Sequence, residues 1–189
     1  MDINAKLSLD LLIGLSILLV TFIFVASFLP GIFADVRHEI ALANHAYRIA
    51  TLLVEDPGYP SDWAEIDVTE CGSKKFRPGL ANFDYENGTL YNYLNASKIL
   101  KLQELARDTT CLGIIKENLG LSYSNINYGF NFSLTNFSGY VFASGGEEVP
   151  LSGQVVSFER VVYVDNCTAF PCDEVASRCL CVLEVVVWT

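Results

Sequence analysis

The sequence predicts an α+β protein in which a long N-terminal helix, apolar on all sides at first and then amphipathic, packs on a C-terminal, mainly antiparallel sheet. Three observations carry this: an uncharged run from Leu11 to Phe33, an apolar repeat at helical spacing that continues to Val54, and alternating Val-, Tyr- and Phe-rich segments from Leu121 onward. Helices early and strands late in the chain give the α+β class. At 189 residues the chain has room for one globular unit besides its N-terminal segment.

The run "LLIGLSILLVTFIFVASFLPGIF" exceeds the about 20 residues needed to cross a hydrocarbon core, so it reads as a membrane span. A cleaved secretory signal is the alternative, but its apolar core normally has only about 7 to 15 residues behind a basic leader. Pro30 lies inside the run, where its ring opposes the carbonyl of Ala26 and one backbone hydrogen bond is lost, so a kink is expected around Leu29 to Gly31. Beyond it Val36, Ile40, Ala43, Tyr47, Ala50 and Val54 recur at spacings of four and three, the apolar stripe of a continuing helix. Arg37, Asn44, Arg48, Thr51 and Glu55 take its other side, and Pro57, Gly58 and Pro60 stop it.

In the head, "NASKILKLQELARD" predicts a short helix with Ile99, Leu102, Leu105 and Ala106 on its buried face and Asn95 or Ser97 as its cap. "CLGIIKENLG" adds a turn or two ended by Gly120. The strands follow in "YSNINYGFNFSL", "FSGYVFAS", "GQVVSFERVVYVD" and "RCLCVLEVVVW". The sheet is expected to lie on the amphipathic half of the long helix.

All six cysteines, Cys71, Cys111, Cys167, Cys172, Cys179 and Cys181, lie beyond the span. An even number on the external side favours disulfides, with the last four clustered around Pro171 and Cys71 and Cys111 left as a long-range pair; 15 connectivities are open. A four-thiolate zinc site is the competing reading, and the C-x4-C-x6-C-x-C spacing fits it poorly. Five Asn-x-Ser/Thr sequons, at Asn87, Asn95, Asn131, Asn136 and Asn166, are more than chance supplies and point to a glycan-bearing extracytoplasmic surface.

The formal net charge of −10 argues against a nucleic-acid partner, which demands clustered Lys and Arg. No P-loop, dinucleotide fingerprint, H-E-x-x-H or G-x-S-x-G is present, so no catalytic residue or cofactor is assigned. His38 and His45 lack a third metal ligand, and Glu147 and Glu148 in "SGGEEV" read as a solvated turn.

Asp10 sits at the start of the apolar run, where a carboxylate needs a partner. With Ser8, in "KLSLDLLIGLSI", it resembles the archaeal type IV pilin family, whose precursors lose a short leader to a prepilin peptidase. The resemblance covers about the first third of the chain. It implies cleavage between Ala5 and Lys6, a leader over 1–5, a transmembrane and filament-core helix over 6–31, an amphipathic continuation over 32–55 and an extracytoplasmic head over 56–189. It further implies that Asp10 meets the Lys6 amine of an adjacent subunit. The expected function is a structural subunit of an extracellular filament, first held in the membrane. Its partners would be identical or homologous pilin subunits, the peptidase and the pilus assembly machinery. A minor pilin that primes or caps a filament, and an independent single-pass surface-binding module, share this topology.

Overall fold

The computed structural model describes residues 3–84, 86, 88–123, 126–175 and 178–189; for 3–10, 30, 32–38, 126, 174, 175 and 178 it describes the backbone alone. Asn87 therefore lies outside the described residues, as do the side chains of Ala5, Lys6, Ser8, Asp10, Pro30, Val36, Arg37 and His38.

Helix α1 runs from Ile3 to Glu55 without interruption, so Pro30 does not terminate it. The chain divides into two compact units, Met1–Ala41 and Leu42–Thr189. The last turns of α1 thus belong to the unit of the head, whereas the expected head began at residue 56.

In that second unit Leu42, Ala46, Ile49, Ala50, Leu53 and Val54 of α1 are buried in the core cluster. This is not the expected stripe. Ala50 and Val54 are buried as anticipated, but Ile40 and Tyr47 are 55% and 50% exposed and Ala43 is half-buried. Residues 40–54 carry apolar side chains over more than half of the helix circumference, so spacing alone does not select which part of that sector is buried. The face holding Ala46 and Ala50 permits the closest approach of another layer. Tyr47, too large for it, stays at the margin with its ring edge-on to Phe158 at 5.1 Å. Each large aliphatic side chain buried here contributes about 1.5–3 kcal/mol.

The end of α1 is tied to the chain that follows. Asp56 Oδ1 accepts from Gly58 N at 2.7 Å, and the carbonyls of Leu53, in the last turn, and of Asp56, just beyond it, accept from Leu80 N and Ala81 N at 2.8 and 3.2 Å. Two short 3-10 turns, Trp63–Glu65 and Val68–Glu70, fill the interval. Trp63 is fully buried, donates from Nε1 to the carbonyl of Gly79 at 3.0 Å and stacks on Phe76.

Strands β1 (Ala81–Asp84) and β2 (Gly88–Leu94) form a hairpin that the sequence reading missed. Two strands therefore precede the short helices. Helix α2 (Ala96–Leu105) has Asn95 as its cap, whose side chain accepts from Lys98 N, and Ile99, Leu102, Leu105 and Ala106 are buried as expected. Helix α3 (Thr109–Asn118) is a full ten-residue helix rather than a turn or two. It ends at Gly120 with φ +71°, where Leu121 N reaches Lys116 O and Gly120 N reaches Glu117 O, a Schellman closure.

A small pair, β3 (Ser122–Tyr123) with β4 (Ile126–Asn127), leads to the main strands β5 (Gly129–Thr135), β6 (Val141–Gly146), β7 (Val155–Val164), β8 (Asp173–Val175) and β9 (Arg178–Trp188). The seven-stranded sheet has the order β1-β2-β7-β9-β5-β6, with β8 also paired to the start of β9. Among the described residues only β2 and β7 pair in parallel, through Tyr93↔Tyr163 and Leu94↔Val164. Cys181, Leu183, Val185 and Val187 of β9 share the buried face with Phe130, Phe132 and Leu134 of β5 and with Val162 and Val164 of β7. The opposite face sets Glu159 directly against Glu184, an arrangement suited to solvent and not to a core.

Candidate functional site

The feature with the strongest functional content is the span Leu11–Leu29, whose mean hydropathy is 2.7 and of which none is buried within the protein. By length and composition it can cross a membrane. Its few polar side chains are already satisfied: Ser16 Oγ donates to Leu12 O, Thr21 Oγ1 to Ile17 O and Leu18 O, and Ser27 Oγ to Ile23 O, all at 2.7–3.0 Å. Each hydroxyl returns its proton to the preceding helical turn, so none demands water. Gly14 and Gly31 have no neighbour within 4 Å of a constructed Cβ, so their surfaces are open. Gly31 is helical, and Ala5, Lys6, Ser8, Asp10 and Pro30 follow the same helix by backbone.

Within the second unit, the face of α1 turned from the core carries Asn44, Tyr47, Arg48, Thr51 and Glu55. Arg160 of β7 holds this face to the sheet: its Nη2 donates to Thr51 Oγ1 at 2.9 Å, lies 3.8 Å from Glu55 Oε1, and its guanidinium sits 5.7 Å from the Tyr47 ring centre. Arg48 donates to the carbonyl of Leu119 at the end of α3, where a cation complements the exposed helix carbonyls. His45 packs its ring against Tyr128 at 4.8 Å; burial first, and the Arg48 charge second, hold its imidazole below the ordinary histidine range. His45 is thus a packing residue in this unit.

The cysteines form three disulfides, Cys71–Cys111, Cys167–Cys179 and Cys172–Cys181. All six sulfurs are consumed, which overturns the zinc alternative, and among the described residues no cluster of three or more metal-ligating side chains occurs. Cys179 and Cys181 are two apart on one strand and face the same way, so they cannot bond each other and each takes a partner from the preceding loop. The disulfides indicate exposure to an oxidising compartment.

Glu147 corrects the reading of "SGGEEV" as a solvated turn. Its Oε1 lies 2.7 Å from Nζ of Lys116, whose side chain is only 4% exposed, and its Oε2 accepts from Phe130 N at 3.3 Å. Glu148 is exposed. Because the partners are 31 residues apart, no local pattern announces them. Glu147→Gln keeps the size and an acceptor oxygen but removes the counter-charge of the buried ammonium; it is expected to lower the stability of the head by about 2 kcal/mol, between a surface pair and a buried one because Glu147 is partly open to water. Urea unfolding measures this, and a loss below about 1 kcal/mol, the scale of a surface pair, would show that Lys116 finds another partner.

Lys98 is the second buried amine. Its Nζ donates to the carbonyls of Pro57 at 2.6 Å and Ala81 at 3.3 Å, and burial lowers its pKa from the usual lysine value while the Asp56 charge opposes the change. It joins α2 to the end of α1 and has a structural part.

The sequons fall in different settings. Asn131 is within β5 and donates from Nδ2 to the carbonyl of Glu147 at 2.8 Å, Asn95 caps α2, and Asn136 and Asn166 lie in turns.

Comparison with known proteins agrees with the whole-chain extent of this design. A protein of Archaeoglobus fulgidus named "Uncharacterized protein" is 61% identical over 189 residues, covering all of both chains. No solved structure matches the chain. Residues 2–188, the apolar helix and the head together, match the family of unknown function DUF7287, and to that family the chain belongs.

Proposed function

We propose that this chain is a structural subunit of an extracellular filament of the type IV pilus kind, held in the membrane by its apolar helix before assembly. The observation that carries the proposal is that the span Leu11–Leu29 is wholly exposed while the same unbroken helix continues into the core of the head. So large an apolar surface needs a non-aqueous surrounding. Lipid supplies it in the precursor, and the helices of neighbouring copies supply it in a filament. Ser8 and Asp10 occupy the positions of the pilin pattern at the head of this helix. The head, cross-linked by three disulfides, faces the exterior and does no chemistry of its own.

The partners are copies of this or a related subunit, a prepilin peptidase and a membrane assembly machine. Surface filaments sheared from cells and analysed by terminal-peptide mass spectrometry test the proposal. The expected result is this chain as a main component, beginning at Lys6. A chain confined to membranes and beginning at Met1 would instead make it an anchored surface module, and a start beyond Ala26 would identify the helix as an ordinary signal.

A further inference from the structure

β2 runs parallel to β7, and both β7 and β5 run antiparallel to β9, so β2, β5 and β7 all point the same way. Their C-terminal ends meet one end of the sheet. Leu94 is opposite Val164, Val164 is opposite Cys179, and Thr135 is opposite Val182, so the three ends lie within three residues of one another along β9. Asn95 follows Leu94, Asn136 follows Thr135, and Asn166 is two residues beyond Val164. Three sequons that are far apart in sequence thus gather at one rim. The rim is also joined by hydrogen bonds. Asp165 Oδ1 accepts from Ala96 N at 2.8 Å, and Asp173 Oδ2 accepts from Phe137 N at 2.8 Å. The opposite end of the sheet carries the contact of His45 with Tyr128, just before the start of β5.

The side-chain geometry sorts these asparagines from the fourth described one. Asn95 Oδ1 accepts from Lys98 N, Asn136 Oδ1 from Ser138 N and Tyr140 N, and Asn166 Oδ1 from Thr168 N and Ala169 N, at 2.8–3.1 Å. In each the oxygen is held by backbone, while Nδ2 donates to no described residue. The hydroxyl residues that complete these sequons, Ser97, Ser138 and Thr168, are exposed. Asn131 is the reverse: its Nδ2 is bonded to the Glu147 carbonyl, and its companion Ser133 donates Oγ to Glu184 at 3.3 Å on the sheet.

We infer that Asn95, Asn136 and Asn166 are asparagine-linked glycosylation sites that together form a sugar-covered rim on the head, and that Asn131 is not modified. The donor is a glycan carried on a lipid phosphate or diphosphate. Nδ2 forms a bond to the anomeric carbon of its first sugar, the lipid phosphate departs with the electron pair of the broken C–O bond, and one amide proton passes to a base of the transferring enzyme. Phe137 and Tyr140, 56% and 67% exposed beside Asn136, offer apolar ring surface to the sugars. The inference rests on the head lying outside the cell and does not require the filament.

The full chain, isolated from its own host and mapped by glycopeptide mass spectrometry, tests it. Glycan mass is expected on the peptides of Asn95, Asn136 and Asn166 and none on that of Asn131. A chain carrying S97A, S138A and T168A together removes all three sequons and keeps every asparagine bond of the fold, so it is expected to lose those three glycans. Bare peptides at all three sites, with the disulfides intact, would overturn the inference and leave the exported location standing. Glycan on Asn131 would overturn the selection of sites by the folded geometry.

Discussion

Asp10→Ala is expected to leave membrane insertion and head folding intact and to cut filament yield by on the order of tenfold, the factor implied by about 1.4 kcal/mol of lost pairing at each subunit addition. An ionised carboxylate among apolar helices is costly unless paired, and in the proposed filament the Lys6 amine of an adjacent subunit, freed by the proposed cleavage, would be its cation. Insertion can only gain, because alanine makes the helix more apolar. The measurement compares sheared filaments with membrane-held subunit in wild type and variant, with the head checked by its thermal transition. Filaments at the wild-type level would show that Asp10 is a hydrated interfacial residue and would remove the chief mechanistic support for assembly.

Removing the Cys71–Cys111 bridge is expected to have the largest effect on the head. It joins the turn after Val68–Glu70 to α3 across 40 residues, and restricting an unfolded loop of that size is worth about 4 kcal/mol in the chain-entropy description. The two bridges near the C-terminus span 12 and 9 residues and contribute about 2.5–3 kcal/mol each on the same basis. Both Cys71 and Cys111 are buried in the core cluster, so Ser at either position also adds a hydroxyl without a water shell. The double Cys71→Ala, Cys111→Ala variant avoids that addition, and a fall of roughly 8–16 °C in its melting temperature is expected for a head of this size. A fall of less than about 3 °C, equivalent to no more than about 1 kcal/mol, would show that residual structure already restricts the unfolded loop.

What the sequence makes legible follows from how local each signal is. The span is a contiguous run, and α2 is a short periodic face with its cap beside it, so both are read directly. The hairpin of β1 and β2 also carries a local signal, since Asn87-Gly88 is a strong turn pair, although the segment around it lacks a regular alternation of apolar and polar residues. The buried face of α1 was rotated because Ile40, Leu42, Tyr47 and Ile49 satisfy helical spacing equally well, and only the opposing sheet chooses among them. The cysteines were correctly divided into a distant pair and a cluster of four, whereas the pairing inside the cluster awaited the register of β9. The Lys116–Glu147 pair and the gathering of Asn95, Asn136 and Asn166 were beyond reach, because both depend on strand order and direction.

The cross-links also limit how far the head can be drawn out under mechanical load. A pulled chain lengthens by about 3.3–3.6 Å for each residue released. The bridge between residues 71 and 111 fixes its ends 5.4 Å apart at Cα, which withholds the intervening contour of about 140 Å. The overlapping loops between 167 and 181 withhold about 40 Å more. A load on the oxidised head therefore draws its slack from the chain between Cys111 and Cys167, about 190 Å that includes β5 to β7, while the chain inside the cross-linked loops stays closed.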